Sequence, residues 1–237
     1  MRRDYSIYDA LYEEAKRKGW SGWGGDGRIA CGPGQLQRIF EKPYVPKTGR
    51  ALELGCGEGH LCRLLSRRGF EVTGIDVSKV ALDWVKEKQP EVPVAYVHAD
   101  LSLPGVLEGE QFDLVVDGNC LHCILGEDRV AFLNNVHRLL SNGGIFFVSS
   151  LCAQGAAPVI TEHAGQPWRF VPSVEYLLQE LDQAKFAILD WEVRQRDAFD
   201  HINVFARCRT RPPCSTWHNH LRARPESPAP VPLQVNH

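Results

Sequence analysis

The stretch Arg50-Ala51-Leu52-Glu53-Leu54-Gly55-Cys56-Gly57-Glu58-Gly59-His60 decides the fold of this 237-residue chain. A short apolar run with an acidic residue near its end leads into a loop that has glycine at every second position. Residues 61–69 then show the spacing of an amphipathic helix closed by a C-terminal glycine. Strand, glycine loop and helix form the opening unit of a nucleotide-binding α/β fold, because glycine lets the backbone turn sharply and approach a ligand closely.

A second carboxylate follows at the distance that a ribose requires. Residues 70–75 predict another apolar strand, and Asp76 ends it about 20 positions after the glycine loop. A carboxylate at this place can accept hydrogen bonds from both ribose hydroxyls and would repel a 2′-phosphate. The alternative is that Asp76 only caps the helix that begins at Ser78.

With these motifs the chain resembles the class I S-adenosylmethionine-dependent methyltransferases. The spacing Gly55-x-Gly57-x-Gly59 after Glu53 is similar to the first motif of that family. Later blocks of the family have their counterparts, in order, at 94–101, 111–119 and 139–148. The resemblance covers roughly residues 45–206 and implies an α/β fold, a Rossmann-like three-layer sandwich. Its seven-stranded sheet is expected in the order 3-2-1-4-5-7-6, with the last strand pair antiparallel.

The resemblance implies S-adenosylmethionine as the cofactor. Its binding residues are expected where the first four strands end: Glu53, Gly55, Cys56, Gly57, Gly59, Asp76, Val77, Asp100, Leu101, Asp117 and Asn119. In this assignment the glycine loop and Glu53 face the amino-acid end of the cofactor, and Asp76 faces the ribose. Asp100 suits the adenine amine unless it is only a loop carboxylate, and Val77 and Leu101 can sandwich the base.

A histidine follows the fourth strand, at the rim where the methyl group is expected. Histidine titrates near neutral pH and can remove a proton from an acceptor, so His122 is the candidate catalytic residue. The alternative is that His122 only packs or caps beside the cofactor. The adjacent Cys120-x-x-Cys123, together with Cys152, raises a zinc, redox or soft-acceptor site. No second cysteine pair completes a zinc set, so no metal is expected.

Aromatic side chains are concentrated ahead of the core. Tyr8, Trp20 and Trp23 form either a fixed hydrophobic cover or a mobile lid whose rings face the sulfonium or the substrate. Farther along, His163 and Arg169 are candidates for acceptor specificity. Arg169 could hold a substrate carboxylate unless it is a solvated surface arginine.

The chain is predicted to contain three parts. Residues 1–42 form an N-terminal helical lid or cover, with a glycine-rich loop at 19–25 and a short second helix near 35–40. Residues 43–209 form the methyltransferase domain, which includes an irregular insert at 152–170. Residues 210–237 are rich in proline and arginine and are predicted to be disordered.

Composition narrows the function. The formal net charge is −2, and the five arginines that follow residue 206 leave the rest of the chain more acidic still. Such a domain is a poor partner for nucleic acid. Eight scattered cysteines suggest reduced thiols in the cytoplasm, and neither a signal peptide nor a membrane-length apolar run is apparent. We expect a methyltransferase for a small-molecule acceptor. A macromolecular acceptor, or a non-catalytic cofactor-binding protein, remains an alternative.

Overall fold

The computed structural model describes residues 4–88 and 92–209 of the chain. The helices in these residues are α1 (Ile7–Arg17), α2 (Gly25–Glu41), α3 (His60–Arg67), α4 (Lys79–Glu87), α5 (Glu127–Leu139) and α6 (Val174–Gln183). The strands are β1 (Gly49–Leu54), β2 (Phe70–Asp76), β3 (Val94–His98), β4 (Phe112–Gly118), β5 (Leu140–Cys152), β6 (Val159–His163), β7 (Gln166–Val171), β8 (Phe186–Arg194) and β9 (Asp200–Cys208). A short 3₁₀ helix spans Leu121–Cys123.

Seven of these strands form one sheet in the order β3-β2-β1-β4-β5-β9-β8. The strands β1 to β5 pair in parallel, whereas β9 runs antiparallel to both β5 and β8. When the separate β6–β7 hairpin is set aside, β8 and β9 are the sixth and seventh strands. The predicted fold class, sheet order and antiparallel last pair are therefore confirmed.

The sheet has a hydrophobic core on each face, because successive side chains of a strand point to opposite sides. In β5, Phe146 and Val148 pack with α1, α5 and α6 in one core, and Ile145 and Phe147 pack with α2 and α3 in the other. Burial on both faces makes the central strands β1 and β4 apolar along most of their length. This explains why their positions could be predicted from short apolar runs.

Helix α2 is much longer than the predicted helix at 35–40. It begins at Gly25 and continues through Pro33 to Glu41, although glycine and proline are poor helix formers. Packing supplies the stability that propensity lacks, since Leu36 and Ile39 are buried against the sheet. Gly32 is needed for this contact, because a Cβ there would lie 2.6 Å from Nε2 of His60.

The predicted irregular insert contains an antiparallel hairpin, β6–β7. Ala164 and Gly165 connect the strands with φ angles of 50° and 73°. Two consecutive positive φ angles are typical of a tight type I′ turn, for which asparagine and glycine are the usual residues. Alanine at the first position conceals the turn in the sequence.

The predicted cover at 1–42 contains α1 and α2, and the division of the chain into domains remains a prediction. The predicted disordered tail at 210–237 lies outside the described residues. In the described ranges, no helix combines the length and the hydrophobicity needed to cross a membrane.

Candidate functional site

A cavity of about 580 Å³ lies at the carboxyl edge of the parallel strands, beneath α1 and α2. This volume is within the range of small-molecule sites. Of the predicted site residues, those that line it are Glu53, Gly55, Cys56, Gly57, Asp76, Val77, Asp100, Leu101, Asn119, His122, Tyr8, Trp23 and Arg169. Four predicted residues do not line it, namely Gly59, Asp117, Trp20 and His163. The fold thus brings most of the predicted set to one place.

The loop between β1 and α3 depends on its three glycines. Gly55, Gly57 and Gly59 have φ angles of 60°, 56° and 76°, a left-handed region that other residues rarely adopt. Space is also tight, since a Cβ on Gly55 would lie 2.8 Å from Cβ of Cys120. Gly59 lies behind the cavity wall, where it begins α3 against the ring of Tyr96. It therefore shapes the loop from outside the cavity.

Glu53 is a buried carboxyl near the end of β1. It is 4% exposed, and its Oε2 has no hydrogen-bond partner among residues 4–88 and 92–209. Burial raises the pKa of Glu53 to about 8, because the charged form loses its solvation by water. A buried polar atom without a partner is unfavourable. A cationic group in the cavity, such as an ammonium, would supply that partner.

Asp76 holds the glycine loop in place. Its Oδ2 accepts a hydrogen bond from the backbone N–H of Gly57 at 2.7 Å, and its Oδ1 accepts one from Ser78 at 2.8 Å. Burial raises the pKa of Asp76 to about 6, and the two N–H donors oppose that rise. Each oxygen has a further lone pair, so the carboxylate can also accept from a ligand hydroxyl. Helix α4 is capped by the hydroxyl of Ser78, which accepts from Ala81.

The loop after β3 forms the next part of the wall. Oδ1 of Asp100 accepts hydrogen bonds from the backbone N–H of Ser102 at 2.8 Å and from its hydroxyl at 2.7 Å. Leu101 is 5% exposed and lines the cavity, as does Val77 at the end of β2. Two apolar side chains and a carboxylate therefore stand together, as the adenine assignment requires.

Asp117 organises the loop after β4 and lies outside the cavity wall. Its Oδ1 accepts from the N–H of Cys120 at 2.5 Å, and both oxygens accept from the N–H of Leu121 at 3.2 and 3.3 Å. The side chain is fully buried, which raises the pKa of Asp117 to about 7. These bonds fix the start of the 3₁₀ helix that carries His122.

Asn119 reaches across the site to the last strand of the sheet. Its φ of 81° is left-handed, a conformation that asparagine tolerates better than most residues. Its Oδ1 lies 2.7 Å from Nε2 of His201 in β9. Burial and nearby arginines lower the pKa of His201 to about 4. This histidine is therefore neutral, and its Nε2–H donates to Asn119.

His122 is 3% exposed and faces the same cavity. Burial, together with the charges of Arg169 and Arg28, holds the pKa of His122 well below its usual range. The backbone N–H of Leu151 lies 3.4 Å from its Nδ1, so Nδ1 serves as an acceptor. In a neutral ring the proton is then on Nε2. This tautomer makes Nε2 a hydrogen-bond donor, whereas a base would require an unprotonated nitrogen facing the cavity.

Aromatic rings from the N-terminal segment cover the glycine loop. The ring centroid of Trp23 lies 5.0 Å from that of Tyr12 and 6.2 Å from that of Tyr8. The hydroxyl of Tyr12 lies 2.6 Å from the position that a Cβ on Gly57 would occupy. The cover and the loop are thus in direct contact.

Helix α1 is tied to the core by one aspartate. Oδ1 of Asp9 accepts hydrogen bonds from the hydroxyl of Ser78 at 2.6 Å and from the N–H of Val80 at 3.2 Å. Tyr5 adds a third bond, from its hydroxyl to Asp128 at 2.9 Å. Because Ser78 also contacts Asp76, the cover and the predicted ribose residue share a neighbour.

The hairpin separates the predicted acceptor residues. Arg169 lines the main cavity, with its guanidinium 3.7 Å from the ring centroid of Trp168. His163 and Trp20 instead line a smaller adjoining cavity of about 280 Å³. Trp20 is 40% exposed and lies under the ammonium of Lys18. These two residues are thus placed beside the main cavity and not on its wall.

Several cavity residues were not predicted from the sequence. They are polar and come from α2, the end of β8, the loop after it and the start of β9: Arg28, Arg38, Arg194, Arg196, His201 and Asn203. The antiparallel direction of β9 brings its first residues to the edge where the parallel strands end, since His201 pairs with Leu151. Searching only the carboxyl ends of strands misses this contribution. The sequence signal that could have revealed these β9 residues was the predicted antiparallel direction of the last strand pair.

The cysteines beside the site do not form a metal centre in the described structure. The seven cysteines in residues 4–88 and 92–209 are free thiols. Within the same ranges, no group of three or more histidine, cysteine, aspartate or glutamate side chains could hold a metal ion. Burial keeps the pKa of the Cys120 thiol well above its usual value, which makes it a weak nucleophile.

Comparison with known proteins agrees with this geometry. Residues 52–148 match the family described as a methyltransferase domain. The chain is 31% identical over 112 residues to a Bacillus subtilis (strain 168) protein named as the methyltransferase YqeM, covering 47% of this chain and 38% of that protein. It is 28% identical over 145 residues to a ubiquinone biosynthesis O-methyltransferase of Alkalilimnicola ehrlichii, covering 60% and 53%. Both relatives are therefore matched over only part of their length.

A solved structure shows the same architecture over nearly the whole chain. It is 1,6-didemethyltoxoflavin-N1-methyltransferase of Burkholderia thailandensis, with 1,6-didemethyltoxoflavin and S-adenosylhomocysteine bound. The TM-score is 0.68 at 20% identity, covering 88% of this chain and 92% of that one. At this identity the likeness shows the fold. Taken with the family match over residues 52–148 and the glycine loop, it leads to one conclusion: the chain contains a methyltransferase domain with the class I S-adenosylmethionine-dependent fold.

Proposed function

We propose that this protein transfers a methyl group from S-adenosylmethionine to a small-molecule acceptor. The observation that best supports the proposal is the cover over the site, in which the rings of Tyr12 and Trp23 stand over the glycine loop. A covered cavity of about 580 Å³ can take a small ligand and keep water from the reacting atoms. A macromolecular acceptor would need an open groove or a basic surface.

The residues on the cavity wall fit this cofactor. The unpartnered Oε2 of Glu53 suits the ammonium of its amino-acid end, and the close backbone of the glycine loop leaves room beside it. Asp76 keeps lone pairs for the ribose hydroxyls. Val77, Asp100 and Leu101 suit the adenine. Gly59 and Asp117 support the loops from behind.

When bound, S-adenosylmethionine supplies a methyl group already activated by a positive sulfur, so the protein's main tasks are positioning and exclusion of water. Neutral His122 can donate a hydrogen bond from Nε2 to an acceptor atom. Tyr8 and Trp23 close the cavity above it. We assign His122 to orientation of the acceptor, and its action as a base remains the alternative for an acceptor that must lose a proton.

The named relatives support a small acceptor. One is named for ubiquinone biosynthesis, and the solved structure contains 1,6-didemethyltoxoflavin. A protein or tRNA acceptor, and a cofactor-binding protein without turnover, are the alternatives. Free thiols throughout the described residues support a reducing compartment such as the cytoplasm.

Calorimetry with S-adenosylmethionine, S-adenosylhomocysteine and NAD tests the cofactor assignment. We expect the first two to bind and NAD not to bind. Asp76→Asn should weaken binding by about 1–3 kcal/mol, since it removes a charged acceptor, while the exposed Glu175→Gln serves as a control. A screen of small acceptors, a tRNA pool and protein extracts, read by product mass, then tests the acceptor class. Turnover on macromolecules alone would reject the small-molecule proposal.

A further inference from the structure

Five arginines line the cavity: Arg28, Arg38, Arg169, Arg194 and Arg196, here called the arginine cluster. They come from α2, β7, the end of β8 and the loop after it. The register places Arg194 beside His201, which pairs with Leu151, whereas the guanidinium of Arg28 lies at the end of β4, where it bonds the carbonyl of Gly118. Acidic residues are on the opposite side of the cavity. The lining carboxylates are Glu53, Glu58, Asp76 and Asp100, all in loops or strands at the β1, β2 and β3 end.

Carboxylates neutralise little of this positive charge. Of the cluster, Arg194 forms a salt bridge, at 2.7 Å with Glu192. No salt bridge of Arg28, Arg38, Arg169 or Arg196 is found in the described residues. Arg28 instead donates to the carbonyl of Gly118 at 2.9 Å. Arg28 and Arg196 are exposed, so water screens their charges, whereas the partly buried Arg38 and Arg169 gain more from a bound anion.

Buried donors in the cluster are also left unused. Nε of Arg38 and Nε of Arg169 are buried and have no hydrogen-bond partner in residues 4–88 and 92–209. The pKa of Arg38 is lowered by burial and by the charge of Arg194. Burial, and after it the charges of these arginines, lowers the pKa of His122 and of His201.

We propose that the methyl acceptor carries an oxyanion, a carboxylate or a phosphate, which the arginine cluster binds on the side of the cavity away from β2 and β3. Guanidinium groups match such oxygens with paired N–H donors. The cationic cofactor then lies against the acidic wall and the anionic acceptor against the basic one. This inference rests on the proposed function and narrows its acceptor class.

Calorimetric titration of the S-adenosylhomocysteine-saturated protein tests the inference with three probes: benzoate, inorganic phosphate and neutral benzamide. We expect benzoate or phosphate to bind and benzamide not to bind, and the preferred anion identifies the oxyanion type. Arg169→Gln and Arg196→Gln should each weaken anion binding by about tenfold or more. Arg67→Gln, an exposed change at the far end of α3, should have no effect. Arg169→Lys should restore only part of the affinity, because lysine lacks the paired donors.

Equal binding of benzamide and benzoate, or no binding of either anion, would overturn the inference. An equal loss in the Arg67→Gln protein would also overturn it, because the effect would then reflect net charge. The exposed Arg196 position keeps the test decisive if the Arg169 variants fail to fold. Failure of S-adenosylhomocysteine to bind counts against the proposed function instead, and the same titrations on the free protein then decide the anion site.

Discussion

At the scale of single residues, three buried carboxyl groups at the site have unusually high pKa values. Burial raises the pKa of Glu53 to about 8, of Asp117 to about 7 and of Asp76 to about 6. Each folded value lies above the unfolded one, so the folded protein binds more protons between the two values. The contribution of these groups to the free energy of unfolding is fully present below their unfolded pKa values of 3.8 and 4.5. It is lost as the pH rises through the folded values.

We therefore expect the thermal midpoint of the free protein to fall as pH rises from about 5 to about 8. Glu53→Gln should make this decline shallower above about pH 6, since one of the three titrating groups is gone. Glu175→Gln, a change at an exposed residue, should leave the decline unchanged. Scanning calorimetry across this range is the measurement, and an unchanged slope in Glu53→Gln would show that Glu53 is already ionised.

Gly57 allows a sharp test of the loop. Gly57→Ala places a Cβ 2.6 Å from the Tyr12 hydroxyl and forces alanine to a φ of 56°. We expect at least about a tenfold loss of S-adenosylhomocysteine affinity, measured by calorimetry, with the sheet still folded. Adding Tyr12→Phe removes the contacting oxygen and should recover part of the loss, the backbone strain remaining. Full recovery would mean that only the contact matters.

The protonation state of His122 distinguishes its role as a hydrogen-bond donor from a role as a general base. His122→Ala should lower kcat by about tenfold, the effect of one hydrogen bond, and His122→Gln should lose less because it keeps an N–H donor. The pH profile of kcat should show no ionisation near 6.5 that belongs to this histidine, because its pKa lies well below that value. A loss of about 10²–10⁴ in His122→Ala would establish the base instead.

Sequence spacing predicted most residues on the glycine-loop side of the cavity and missed most of those on the arginine side. Glu53, Gly57 and Asp76 lie within one strand–loop–helix–strand unit, where local pattern determines neighbours. Arg28 and His201, in contrast, reach the cavity only through long-range packing and a reversed strand. Asp117 shows that position at a strand end is not enough to predict a cavity residue. Its carboxylate caps the next turn and does not line the cavity.

At the scale of elements, α1 is the part of the cover whose attachment is simplest to test. Asp9 accepts two of its hydrogen bonds to the start of α4. Asp9→Ala should destabilise the attachment by about 1–2 kcal/mol. Hydrogen exchange should then show faster exchange across Ile7–Arg17, while the Glu13→Ala control on the exposed face of α1 should not. Equal exchange in both variants would show that the rings alone hold the helix.

The elements predicted least well are those stabilised by packing or by an unusual turn. Helix α2 contains glycine and proline, and buried contacts with α3 and the sheet override their low propensity. The β6–β7 turn lacks its usual asparagine. The central strands were predictable because burial on both faces requires continuous apolar runs.

At the scale of the whole molecule, the confirmed sheet order produces an electrostatic division. The glycine loop and the lining carboxylates belong to the first three strands, whereas the arginine cluster comes from α2, β7, the end of β8 and the loop after it. Composition could not predict this, because a net charge of −2 says nothing about where opposite charges lie. The family and fold could be predicted from the ordered blocks, whereas the polarity of the cavity required three dimensions.

The attachment of α1 also has a kinetic consequence. We expect a product held beneath Tyr12 and Trp23 to leave only after the bonds at Asp9 and Tyr5 break and the rings separate. Departure of spent cofactor, and not methyl transfer, should then set the steady-state rate. Rapid-quench experiments should show a first turnover that is faster than all later ones. Asp9→Ala should reduce the difference in rate between the first and the later turnovers, because a weaker attachment of α1 speeds product release. The variant should therefore have a higher steady-state rate.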